Sequence, residues 1–166
     1  PGLEAQLDVT DPAAQAEFAA SLKGRPVDLL ICNAGVYLDK GHASKTGFGA
    51  DPWAQGLATN VTGVFLTIQA LMDNLRAAQG AKIAIIASQM GSQEKAPGGS
   101  YIYRASKAAA INLGRNLAVD LKPEGISVGI YHPGWVQTDM GGASGEITAE
   151  ESARGLMQRF AALDLD

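Results

Sequence analysis

One cysteine stands in 166 residues, so no internal disulfide can form, and nothing around Cys32 supplies a set of metal ligands. That economy of thiols fits a reducing compartment, and the expected location is cytoplasmic. Lysine and arginine form no run and the net charge is -4, which leaves no electrostatic footprint for nucleic acid or an anionic membrane. No apolar run approaches the roughly 18 residues of a membrane span, and no basic region of a signal peptide is present. The formal sequon Asn60-Val61-Thr62 therefore carries no expectation of glycosylation. Internal repeats and low-complexity linkers are also missing. So is a G-x-S-x-G elbow with a His partner, which sets aside a serine hydrolase.

What is present is 46% hydrophobic residues in a chain of one-domain size, enough for a buried core. Leu3 to Val9 reads as a short strand, closed by Thr10-Asp11-Pro12, where Asp11 can cap a helix running to about Leu22 with Pro12 at its first position. Val27 to Cys32 is nearly continuous in apolar residues and suits a strand buried on both faces. A polar, glycine-rich stretch from Asp39 to Ala50 leads into one long helical pattern from about Pro52 to Ala78, which Asp51 could cap. Lys82 to Ala87 is the next strand and Tyr101 to Leu121 the next helix, ended by Pro123-Glu124-Gly125. Ile126 to Tyr131 is a further strand and Thr148 to Leu163 a last helix. This alternation predicts an α/β fold with a doubly wound parallel sheet. Ligands of such sheets sit beyond the carboxyl ends of the strands, here Asp8, Asn33 to Gly35, Ser88, and His132 to Gly134.

Tyr103 and Lys107 lie four apart in a helical segment, so their side chains project about 40° from one another on one face. A phenol titrates near ~10, and bringing it towards neutrality takes about 4 kcal/mol of preferential phenolate stabilisation. An ammonium at about 4 to 5 Å in an effective dielectric of ~20 supplies roughly that before desolvation losses. The pair could therefore perform general acid-base chemistry on a hydroxyl or carbonyl. Alone, the spacing is common by chance and more often means a half-buried ring beside a solvated charge. Ser88, directly after Ile83-Ala84-Ile85-Ile86-Ala87, would bring a hydroxyl donor to the same rim, unless it is simply a turn serine.

Cys32-Asn33-Ala34-Gly35, Asn60 within Ala58-Thr59-Asn60-Val61-Thr62-Gly63, Ser88, Tyr103-Arg104-Ala105-Ser106-Lys107 and Pro133-Gly134-Trp135-Val136-Gln137-Thr138 together closely resemble the short-chain dehydrogenase/reductase family, in order and spacing over nearly the whole chain. Gly99 to Gly142 looks most like the branch of C-signal-type and sniffer-type carbonyl reductases. The resemblance implies an oxidoreductase that passes hydride between NADP, or NAD, and a small carbonyl or alcohol substrate. It makes Tyr103 the general acid-base and Lys107 its partner, also bonded to the nicotinamide ribose. Ser88 would orient the reacting oxygen. Asn60 would hold a water linking Lys107 to solvent, a role that suits a buried helical Asn with no local partner, while a satisfied packing Asn is the plainer alternative.

The same resemblance places Asp8 and Val9 at the adenine, unless Asp8 merely begins the turn before the helix. Asn33, Ala34 and Gly35 would lie along the adenine ribose, and Pro133, Gly134, Val136 and Thr138 at the nicotinamide carboxamide. Trp135, Gln137 and Met140 become candidates for the substrate side, and His132 a residue that shapes the strand end. A homodimer or homotetramer through the long helices at 52-78 and 101-121 is implied as well. The family's T-G-x-x-x-G-x-G phosphate loop does not occur in these residues. On that ground the sequence is expected to be a partial dinucleotide-binding domain over 1-166, lacking two strands and a helix at the amino end and a last strand at the carboxyl end. The competing expectation is a non-catalytic signalling or regulatory protein on the same fold.

Overall fold

The structure, a computed structural model, describes residues 4-41 and 47-165. The first helix, α1 (Pro12–Ser21), begins where expected: the Asp11 carboxyl accepts from Ala13 N (2.8 Å) and Ala14 N (3.3 Å), with Pro12 at the first position. The expected strand over residues 3-9 does not form in its described part, because residues 4-9 pair with no other strand among the described residues and a strand exists only through its ladder.

Three strands make the sheet. β1 (Leu29–Cys32), β2 (Lys82–Ile86) and β3 (Ser127–Tyr131) are parallel in the order β1-β2-β3, with Leu30 opposite Ile83 and Ile85 opposite Ile130. Side chains alternate across β2. Ile83 and Ile85 enter a cluster with Cys32, Val64, Ile68, Leu75, Leu117 and Ile126 on one face, and Ala84 and Ile86 meet Phe160, Leu156 and Tyr131 on the other. Helices thus cover both faces, the doubly wound arrangement expected. β1 departs from expectation: Ile31 is 41% exposed, since the second face of this edge strand is covered at Leu29, which packs on the Phe160 cluster, but not at Ile31. Burial in that cluster pushes the Cys32 thiol up to about 12.

The long helix expected over 52-78 is interrupted twice. α2 (Ala50–Leu57) gives way to a π turn at Ala58–Thr62, in which Gly63 N bonds Ala58 O, before α3 (Gly63–Ala70); a kink at Leu71 (φ -98°, ψ 7°) then begins α4 (Met72–Arg76). The extra residue in the wide turn rotates Asn60 inward, to 1% exposure, where tertiary hydrogen bonds outweigh helix regularity. Gly49, not Asp51, occupies the cap of α2; Asp51 sits in the first turn, where a carboxylate still suits the helix dipole. α5 (Tyr101–Leu121) runs over the residues the periodicity predicts, and α6 (Ala149–Ala161) starts from a capping box between Thr148 and Glu151.

Candidate active site

The carboxyl ends of all three strands open onto one rim. β2 ends at Ile86, and Ser88 caps a short 3₁₀ turn at Gln89–Gly91, its hydroxyl oxygen accepting from Met90 N at 3.1 Å. That turn lies tight against α5: a Cβ on Gly91 would stand 2.7 Å from the Lys107 carbonyl carbon, so only glycine lets Ser88 approach the Tyr103-Lys107 face. Ser88, Tyr103, Val136, Thr138 and Met140 then line a cavity of about 400 Å³, closed further by Tyr37, Lys40, Met90 and Trp135.

Tyr103 is largely buried, its ring stacked on Tyr37 with centroids 4.2 Å apart and its hydroxyl 4.0 Å from the Met140 Sδ. Burial pushes its phenol above the usual tyrosine range; a hydrogen bond with Ser88 pulls the other way, and Tyr37 adds to the rise. Lys107 donates to Ile86 O at 3.0 Å and holds its ammonium 5.7 Å from the Tyr103 ring centroid. Desolvation lowers Lys107 to about 8. The desolvation losses set aside in the expected arithmetic are the largest influence on both groups in the protein by itself.

Asn60 makes the contacts of the plainer alternative, a satisfied packing Asn. Its Oδ1 accepts from Val36 N (2.8 Å), while Nδ2 donates to Val36 O (2.9 Å) and Ser106 Oγ (2.9 Å), so the buried amide has local partners and clamps the peptide after Gly35. Asp8 stands at the surface with its carboxyl accepting from Thr10 N (2.9 Å) and Thr10 Oγ1 (2.8 Å), the turn alternative. Those bonds hold it below the usual carboxylate range. Val9, Asn33 and Ala34 meet instead in a second groove of about 190 Å³ with Ile31, Gly63 and Thr67.

In the loop after β3, Trp135 Nε1 donates to Gly141 O (2.9 Å), Gln137 Nε2 to Gly145 O (2.9 Å), and Gly141 N to Thr138 Oγ1 (3.0 Å). Gln137 is thereby spent on its own loop and does not line the main cavity, while Trp135 and Met140 do. His132, at the cavity wall, is lowered by partial burial. Lys40 reaches across the mouth to Met140 O at 2.7 Å.

Two residues of this site carry no local signal in the sequence. Tyr37 belongs to no spacing pattern, and its hydroxyl bonds Ser100 Oγ. Asp39, fully buried, accepts from Ile102 N (2.8 Å) and Tyr103 N (3.2 Å). The polar stretch from 39 to 50 gave no reason to bury a carboxyl, and its residues 42-46 lie outside the described ones.

Residues 3-148 match the sequence profile of the short chain dehydrogenase family. Over 145 residues the chain is 37% identical to C-signal of Myxococcus xanthus, covering 85% of this chain and 84% of that protein. Carbonyl reductase Sniffer of D. melanogaster superposes with a TM-score of 0.89 at 28% identity, covering 96% of this chain and 70% of that one. The NADPH-bound carbonyl reductase from chicken fatty liver superposes with a TM-score of 0.87 at 32% identity, covering 96% and 69%.

Proposed function

The chain belongs to the short-chain dehydrogenase/reductase family of oxidoreductases, and from that premise we propose that it reduces a small carbonyl compound, or oxidises the matching alcohol, at the cavity floored by Tyr103 and Ser88. The observation that carries this reading is the convergence of the Tyr103 phenol, the Ser88 hydroxyl and the Lys107 ammonium at one strand rim, from two elements that the sequence separates by 15 residues or more.

A nicotinamide dinucleotide fits the residues present at its nicotinamide end. Among the described contacts Lys107 spends one of its three N–H donors, on Ile86 O, and remains buried, so ribose hydroxyls would satisfy donors that nothing else meets. A Cβ on Gly35 would come within 3.3 Å of Asn60 Oδ1 and 3.4 Å of Lys107 Nζ, so glycine there keeps the space beside the ammonium open. Asn33, Ala34 and Gly35 would hold the adenosine side with Asp8 and Val9, and Pro133, Gly134, Val136 and Thr138 the nicotinamide side. NADP is the dinucleotide we assign, from the NADPH-bound relative. When bound, it supplies or accepts the hydride.

The chain's own residues handle the proton. Ser88 Oγ receives the Met90 N–H, which turns its own proton towards the Tyr103 phenol and a carbonyl oxygen lodged between them. Tyr103, protonated at neutral pH because burial raises it, donates to that oxygen as negative charge develops there. Lys107 stabilises the phenolate left behind. Asn60 holds Val36, and through it the Gly35 backbone, against the floor. Trp135, Met90 and Met140 offer the substrate an apolar wall. The exposed faces of α3 and α5, with Phe65 and Val119, are proposed as the contact between copies.

The test mixes the full-length protein with NADPH or NADH and a panel of small aldehydes and ketones, following loss of reduced-nicotinamide absorbance. Turnover should appear and should fall at least about a thousandfold in Tyr103→Phe, with dinucleotide affinity within about threefold. Absence of turnover together with absence of dinucleotide binding sinks the reading and favours a signalling role for the fold; activity retained by Tyr103→Phe removes Tyr103 as the acid.

A further inference from the structure

Helix α5 begins in an unusual way. Gly98, Gly99 and Ser100 all have positive φ (90°, 68° and 49°), so the chain enters the helix through three left-handed residues in succession. A serine in the N-cap position would ordinarily use its hydroxyl to accept from the second or third helical N–H, but it must be extended to do so. Ser100 is left-handed, makes no capping bond with its side chain, and shares a hydroxyl–hydroxyl hydrogen bond with Tyr37 instead. The N–H groups of Ile102 and Tyr103, second and third in the helix, are both buried and would be orphans. Asp39 takes both, from a loop more than 60 residues earlier in the chain.

The loop that delivers Asp39 is itself fixed. Asn60 grips both polar groups of the Val36 peptide; one residue on, Tyr37 stacks on the Tyr103 ring and bonds Ser100; two residues further, Asp39 closes the helix end. Tyr103 is thus held at its backbone N–H by Asp39 and at its ring by Tyr37, both from the same four-residue loop. A cap supplied by a neighbouring serine would stabilise α5 equally well yet would not tie it to anything else. A cap supplied from this loop sets the height and rotation of the first helical turn relative to the strand rim where Ser88 stands.

We infer that Asp39 is a positioning residue for the proposed acid, capping α5 from a separate loop and so fixing where the Tyr103 hydroxyl stands beside Ser88. The inference rests on the reductase reading for its kinetic consequence, though not for its structural one. Asp39→Ala removes both acceptors; Asp39→Asn keeps one oxygen and faces the other N–H with a donor.

The experiment compares the full-length protein with both variants by steady-state kinetics, dinucleotide titration, and near-ultraviolet titration of the Tyr103 phenol, isolated by subtracting the matching Tyr103→Phe protein. Expected for Asp39→Ala is a loss of kcat on the order of ten- to a hundredfold, as a displacement of about 1 Å produces, with KM and dinucleotide Kd within about twofold. Asp39→Asn should lie between, and the phenol should titrate lower in Asp39→Ala as its burial relaxes. Unchanged kcat with an unmoved phenol titration overturns the inference. So does a loss in which kcat, dinucleotide affinity and helical circular dichroism fall together in both variants, since that reports general unfolding. If the parent protein itself shows no turnover, the reductase reading fails alone, and the phenol titration decides: a shift graded from Asn to Ala upholds the positioning role, and none refutes it.

Discussion

At the scale of single residues, Lys107 shows a functional group held at a cost. An unfolded lysine keeps its proton to about 10.5, and the folded one only to about 8. Between those limits the unfolded chain binds more protons, so stability climbs as pH rises from about 8 to 10.5 and the burial penalty is complete below 8. The difference corresponds to about 3 kcal/mol, less whatever its bond to Ile86 O returns. Lys107→Met should therefore abolish turnover while raising unfolding free energy at neutral pH by ~1 to 3 kcal/mol, and should flatten the rise between pH 8 and 10.5; urea titrations across that range would read it. A variant less stable than the parent at pH 7 would contradict this account. Tyr103, Lys107 and Ser88 were legible as candidates only together, because a helix and a strand end set them in register with the chain's other landmarks, while the spacing of each alone was ambiguous. Tyr37 and Asp39 were not, since loop residues that reach a distant element leave no periodic trace.

Elements tell a similar story with a different cause. The limits of α5 follow from its spacing and from Pro123-Glu124-Gly125, and α6 from the Thr148-Glu151 box, because both signals are local. The π turn at Ala58–Thr62 was hidden: its reason is the meeting of Asn60 with Val36 and Ser106, 24 and 46 residues away. Asn60→Ala would leave a part-buried N–H and carbonyl on Val36 and the buried Ser106 hydroxyl without their partner, and should lower stability by about 2 to 3 kcal/mol in denaturant unfolding. Asn116, whose amide bonds Asn112 on the exposed face of α5, should tolerate alanine within about 0.5 kcal/mol. Equal costs at the two positions would show that the clamp is not what bends the helix.

For the whole molecule, the sheet order and the helices on both faces were readable from strand-helix alternation, whereas the openness of β1 was not. Apolar content alone cannot tell a covered strand from one with Ile31 exposed. Among the described residues no helix is long and apolar enough to cross a membrane. Phe65 and Val119, exposed on α3 and α5, lead us to expect a dimer or tetramer in solution, to be checked by light scattering; a monomeric mass at micromolar concentration would remove those faces as an interface. The buried Cys32, with its thiol pushed up to about 12, has a practical consequence for such work. A maleimide or nitroxide reagent at neutral pH attacks thiolate, and this one supplies almost none. A second cysteine placed at an exposed position of the 135-145 loop would thus be the site of labelling within these 166 residues, and the cavity mouth could be probed without first engineering Cys32 away.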